Sequence, residues 1–195
     1  MINSLLHIDQ SFFYTLNGLL GHSAIFDNII KFVSVYVVYL VPVSLLIAWF
    51  YYKQDKIKID LIKTTLVSFF VWQVPTRLIA MLWFRPRPIA ELAGAKEVVF
   101  HVPTYSFPSD HSTFLAALAT YIYLLGYKKV SGWIYVVAFL VGASRIIGGM
   151  HYPLDVLAGW TLGILGAYLL HFADKYIQKY LAEPILKFMQ WLHLA

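Results

Sequence analysis

The chain has 195 residues, 60% of them hydrophobic and only 13% charged, with no cysteine. A soluble domain carries about 25% charged residues, so the composition excludes an ordinary soluble domain and points to a membrane protein; the missing cysteines exclude disulfides and thiolate metal sites. The net charge of +5 does not indicate nucleic acid as a partner, because many of the lysines sit in short gaps between apolar runs, where they report topology.

Residues 2–20 mix Leu5, Leu6, Phe12, Phe13 and Leu16 with Asp9, Gln10 and Asn17. This stretch lacks a basic start, so it reads as an amphipathic helix in the membrane interface and not as a cleavable signal peptide. Five apolar runs follow, at 28–52, 59–84, 109–127, 132–148 and 152–172. Each is close to the ~20 residues needed to cross a hydrocarbon core ~30 Å thick. In lipid the backbone must satisfy its own hydrogen bonds, so each run is expected to be a helix. After Lys175 the amphipathic pattern returns, with Tyr176, Tyr180, Leu186, Phe188 and Trp191 among lysines. The expected fold is all-α: a polytopic membrane bundle of about five transmembrane helices with an interfacial helix at each end. It forms a single domain over 1–195, divided into an N-terminal segment (1–27), a helix bundle (28–172) and a tail (173–195).

Lysine placement orients the bundle. Lys53, Lys56, Lys58 and Lys63 cluster between the first two runs, Lys128 and Lys129 between the third and fourth, and Lys175, Lys179 and Lys187 after the fifth. An odd number of spans puts these gaps on one side, the cytoplasm by the positive-inside rule. The opposite side receives the N-terminal segment, the loop 85–108 and the turn 149–151, with Lys31, Arg77, Arg85, Arg87, Lys96 and Arg145 as its basic residues. The expected location is a plasma membrane, with this face outside.

That same face collects the polar motifs. Arg85-Pro86-Arg87-Pro88 closes the second run, and Ser106-Phe107-Pro108-Ser109-Asp110-His111 opens the third. Ser144-Arg145 closes the fourth and His151-Tyr152-Pro153-Leu154-Asp155 opens the fifth. An arginine fork matches phosphate oxygens and stays charged. Pro108 and Pro153 suit a first helical turn, so Ser109 and His111 fall at a helix N-terminus, which favours an anion. His151 and Asp155 are four residues apart and can face each other on one helix side. A carboxylate on one imidazole nitrogen fixes the tautomer and leaves the other nitrogen as a nucleophile. His111 is placed to protonate a leaving oxygen. His7, His22, His101, His171 and His193 match no motif and are read as interfacial.

These pieces resemble the three signature motifs of the type 2 phosphatidic acid phosphatase superfamily: Lys-x6-Arg-Pro, Pro-Ser-Gly-His and Ser-Arg-x5-His-x3-Asp. The third is complete at Ser144, Arg145, His151 and Asp155; the second matches at Pro108, Ser109 and His111, the first at Arg87-Pro88. The resemblance covers roughly 59–172. It implies His151 as the nucleophile that forms a phosphohistidine, Asp155 as its orienting partner and His111 as the general acid. It implies Arg87, Arg145 and Ser109 as the phosphate cradle, with no metal or other cofactor. Two positions depart from the pattern. The motif lysine falls on Ala80, or on Leu78 if counted from Arg85, and Asp110 stands in place of the motif glycine. Arg85 or Arg77 can supply the missing charge, and the Asp110 side chain is expected to turn away from a bound dianion. The Phe-Pro-Ser-Asp-His form, the missing lysine and the stretch Gly-Met-His-Tyr-Pro-Leu-Asp-Val-Leu resemble bacterial undecaprenyl-diphosphate phosphatases of the bacitracin-resistance type.

The expectation is therefore a lipid phosphatase whose partners are the bilayer and a lipid phosphate, preferably a polyprenyl diphosphate. Phosphatidylglycerophosphate, phosphatidic acid and lipid A are same-class alternatives. A small anion or lipid transporter and a catalytically dead lipid-binding scaffold are the alternatives of other classes. Transporters place polar residues near mid-membrane on broken helices, whereas here they gather at one edge. The oligomeric state is open.

Overall fold

The computed structural model of the chain describes residues 2–98 and 105–195; His101 and part of the loop 85–108 lie outside the described residues. The described residues contain helices and no strand, so the all-α expectation holds. Helix α1 spans Ile2–Asn17, α2 Ala24–Val35, α3 Leu40–Tyr51 and α4 Asp55–Leu82. A one-turn helix, α5, covers Pro88–Glu91, followed by α6 (Asp110–Leu124), α7 (Lys128–Ile147) and α8 (Pro153–His171). The tail holds α9 (Asp174–Ile177), a π-helical turn at Gln178–Ala182 and α10 (Glu183–Trp191). Among the described residues, four stretches are long and apolar enough to cross a membrane: Ala24–Tyr51, α4, α7 and α8. Their outer faces carry large exposed apolar residues, such as Ile47, Phe69, Leu78, Trp133, Phe139 and Leu169, a surface suited to lipid and not to water.

The first apolar run is not one continuous helix. A 3-10 turn at Val37–Tyr39 separates α2 from α3. Pro42 has no N–H to return to the carbonyl of Val38, and its ring crowds that carbonyl, so the chain tightens just before it. The consequence reaches the site. Past Val35 the α-helical pattern stops, and the Ser34 carbonyl accepts from Nη1 of Arg145 at 2.9 Å.

The third run becomes α6, which has 15 residues and so spans only about 22 Å. It is the centre of the bundle, packed most extensively on α8, then on α7 and α4. Leu115, Ala117, Ala119 and Tyr121 are fully buried along it. Lipid tails are as apolar as a leucine side chain, so packing in a bilayer favours small residues that let backbones approach. Helix α8 supplies them. A Cβ on Gly159 would meet the Ser109 carbonyl at 2.7 Å, and one on Gly163 would collide with α6 one turn further along. This Gly-x3-Gly face fixes the distance between the starts of α6 and α8, which carry His111 and Asp155.

The two ends of the bundle differ. At one end α1 docks against α7 and α8 through Asp9, Phe13 and Asn17, all buried. These are one face of the helix at four-residue spacing, and two of them looked like polar interruptions of an apolar stretch. At the other end α4 starts at Asp55, earlier than the apolar run suggested. Lys56 and Lys58 are therefore helical residues and not loop residues. Lys63 is buried, 3.2 Å from Asp60 and 3.0 Å from Asp174; the two carboxylates compensate a charge that the apolar surroundings would otherwise penalise. The tail packs back on this end, with Ala182 and Leu186 buried against Ile62.

Candidate active site

Helix ends deliver the motif residues to one place. Arg145 is in the last turn of α7. The connection to α8 is short: Gly149 has φ +81°, a conformation glycine adopts without steric cost, and the N–H groups of Met150 and His151 both return to the Arg145 carbonyl, at 2.9 and 3.3 Å. Pro153 then starts α8, and Asp155 closes a capping box by accepting from the Tyr152 N–H at 2.8 Å. Ser109 caps the start of α6, and its N–H donates to the backbone carbonyl of Asp155 at 3.0 Å. The second and third motifs are thus joined by a backbone hydrogen bond.

The His151 ring sits differently from the expected carboxylate–imidazole pair. Its Nδ1 is 3.8 Å from Oδ2 of Asp155, too far for a hydrogen bond. Nδ1 instead lies 2.8 Å from the Ser106 carbonyl. A carbonyl only accepts, so Nδ1 carries the proton and Nε2 carries the lone pair. Asp155 acts one step further back: its Oδ2 accepts from the Ser106 hydroxyl at 2.5 Å. Ser106 belongs to the motif stretch 106–111, but its residue type signals no such role, because a backbone carbonyl leaves no trace in residue types. Burial pushes the His151 pKa down to about 4, with Arg145 and Arg87 adding to that and Asp155 opposing it. The imidazole is neutral at physiological pH.

Three arginines surround this core. Arg87 is buried, and its Nη1 donates to the Met150 carbonyl at 3.2 Å; burial pushes its pKa down. Arg145 is 4% exposed. Its Nε is buried without a protein partner among the described residues, and so is Nε2 of His151. Arg85 is engaged differently. Its Nη1 is 2.6 Å from Oδ1 of Asp155 and its Nη2 is 2.6 Å from Oδ2 of Asp9. Its guanidinium stacks over the Tyr152 ring at 3.8 Å. Burial works against the Arg85 charge, but the two carboxylates outweigh it and push its pKa up. Ala80, where the motif lysine would stand, is buried.

His111 and Asp110 line an apolar cavity of about 230 Å³ with Val38, Tyr39, Pro42, Trp72 and Phe114. The break between α2 and α3 shapes one wall of it. The Asp110 carboxylate accepts from the Tyr105 hydroxyl at 3.1 Å and is within electrostatic reach of Arg145 and Arg77. Arg77 itself donates from Nε to Gln73 at 2.6 Å.

Comparison with known proteins gives the same reading. The chain is 31% identical over 163 residues to the undecaprenyl-diphosphatase BcrC of Bacillus subtilis strain 168, covering 83% of this chain and 82% of the relative. It is 32% identical to the bacitracin transport permease protein BcrC of Bacillus licheniformis, covering 83% and 77%. Among solved structures, a transmembrane PAP2-type phosphatidylglycerolphosphate phosphatase from Bacillus subtilis shares the fold with a TM-score of 0.68 at 23% identity, over 91% of this chain and 90% of that one. The sequence profile described as the PAP2 superfamily matches residues 59–178, and the chain belongs to that superfamily.

Proposed function

We propose that this PAP2 protein removes the terminal phosphate of a polyprenyl diphosphate, undecaprenyl diphosphate first among them, at the outer face of a bacterial plasma membrane. One observation supports the chemistry: Nε2 of His151 and Nε of Arg145 are both buried and lack partners among the described residues. An unpaired buried charge costs several kcal/mol, and a phosphoryl group supplies both an anion for Arg145 and an electrophile for His151. Arg85 has its carboxylates; Arg87 and Arg145 form the cationic pair that faces an incoming phosphate.

In this reading Nε2 attacks the terminal phosphorus and the bond from phosphorus to the bridging oxygen breaks. His111 protonates that oxygen as lipid monophosphate leaves. Water then attacks the phosphohistidine, giving up a proton to His111, and inorganic phosphate is released. Arg87 and Arg145 stabilise the charge on the transferring group, with Ser109 at the start of α6 as a further donor. The apolar cavity that His111 lines suits the first part of a lipid tail. The relatives named for undecaprenyl diphosphate support the choice of lipid, and the lysine-rich far end supports the orientation. The test is phosphate release from undecaprenyl diphosphate, phosphatidylglycerophosphate and phosphatidic acid by purified wild type and His151→Ala. The diphosphate is expected to be hydrolysed fastest and the variant to be inactive; a fully active His151→Ala overturns the mechanism.

A further inference from the structure

We propose that Asp9, on the N-terminal helix, is a positioning residue for the reaction, holding Arg85 so that Arg85 holds Asp155. The inference rests on the proposed histidine chemistry. Asp9 lies outside the 59–178 segment matched by the superfamily, and no motif contains it.

The geometry is a relay of short bonds. Asp9 Oδ2 is 2.6 Å from Arg85, and Arg85 is 2.6 Å from Asp155. Asp155 is bonded to the Ser106 hydroxyl at 2.5 Å, and the Ser106 carbonyl is 2.8 Å from Nδ1 of His151. The Arg85 carbonyl also accepts from the Ser106 N–H at 2.8 Å, so Arg85 grips both ends of the Ser106–Asp155 contact. The second oxygen of Asp9 accepts from the Leu154 N–H at 2.9 Å, in the first turn of the helix that carries Asp155. The Asp9 side chain is fully buried. Burial pushes its carboxyl up, while Arg85 and the Leu154 N–H oppose this.

Charge explains why a third carboxylate is needed. Without Asp9, a half-buried Arg85 would have one anion and a free Nη2, and an incoming phosphate would compete with Asp155 for it. With Asp9 in place both forks of Arg85 are occupied, and Asp155 stays on Ser106. Arg85 is therefore assigned to the support of His151 and not to the phosphate cradle.

The experiment measures kcat and KM for undecaprenyl diphosphate with full-length wild type, Asp9→Ala, Asp9→Asn, Arg85→Ala, the Asp9→Ala/Arg85→Ala double variant and Asn17→Ala. Asn17 anchors the far end of α1 through bonds to the carbonyls of Lys96 and Ile147 at 2.8 Å each, so its loss loosens the helix without touching Arg85. Misplacing a reacting group slightly costs on the order of 10- to 100-fold, and that loss is expected in kcat for Asp9→Ala, with KM within about threefold. Asn17→Ala is expected to lower thermal stability and keep kcat within about threefold of wild type. The double variant should be no slower than Arg85→Ala alone, because the two residues act in series. A wild-type kcat in Asp9→Ala, or losses from Asp9→Ala and Arg85→Ala that multiply, overturns the inference. If Asp9→Ala does not fold, Asp9→Asn decides in the same way. Wild type that releases no phosphate from any lipid, or an active His151→Ala, removes the underlying mechanism and this inference with it, an outcome distinct from a fast Asp9 variant on an intact mechanism.

Discussion

The bundle carries a buried ionic cluster at each end, and the two are built alike. At the far end Asp60 accepts from Lys56 at 2.8 Å and lies 3.2 Å from Lys63, while Asp174 pairs with Lys63 and accepts from the Tyr121 hydroxyl at 2.5 Å. Asp174 is partly buried, yet the bonds from Tyr121 and Lys63 hold its carboxyl below the usual range. Every ionised group of that cluster has its partner. At the site end the inner relay Asp9–Arg85–Asp155 is equally complete, but Arg145 Nε and His151 Nε2 are left without one. Burial and ion pairing occur at both ends. The far end also holds a buried nitrogen without a partner among the described residues, Nδ1 of His171 against the Tyr121 ring, but only the site end leaves an arginine nitrogen unpartnered among them.

Breaking each cluster sharpens the contrast. Arg145→Ala removes the cation with the unpartnered nitrogen, and kcat/KM is expected to fall about 10²- to 10³-fold; a smaller loss in Arg145→Ala than in Lys63→Ala would erase the distinction between the two ends. Asp155→Asn is expected to lower kcat by roughly 10²-fold. That is less than the ~10⁴-fold seen where a carboxylate itself sets the histidine tautomer, because here the Ser106 carbonyl sets it. Lys63→Ala should leave kcat within about threefold while lowering stability by on the order of 1–3 kcal/mol, since Asp60 and Asp174 lose their shared cation but keep the bonds from Lys56 and Tyr121; unfolding in detergent micelles measures the cost.

The smallest effect is in pH. In the proposed mechanism His151 attacks as a neutral imidazole, and burial lowers its pKa from 6.5 to about 4. Activity is therefore present above pH ~5 and lost as pH falls through about 4. Because the folded state binds this proton less readily than the unfolded chain, the group also removes stability as pH drops from 6.5 towards 4. An acid limb of kcat/KM near 6.5 would show that the imidazole is not shielded as the structure has it.

Sequence by itself determined the membrane class, the helical fold and the superfamily motifs that nominate His111, His151, Asp155, Arg87 and Arg145 as candidates. It could do so because apolar run length and charge depletion follow from the bilayer, and because the third motif is contiguous, so one helix start carries its histidine and carboxylate. Tertiary structure alone decided the rest. Asp9 reads locally as a polar break in an apolar stretch, and only docking α1 onto α7 and α8 turns it into a partner for Arg85. The Ser106 carbonyl that orients His151 is a backbone group, present at every residue, and only its placement is informative. Lys63 reads in sequence as a topology charge, and only the fold closes Asp60 and Asp174 around it. Residue types announce what a group can do; which charges are compensated depends on neighbours distant in sequence, and here that compensation pairs Arg85 with two carboxylates while Arg145 Nε has no partner among the described residues.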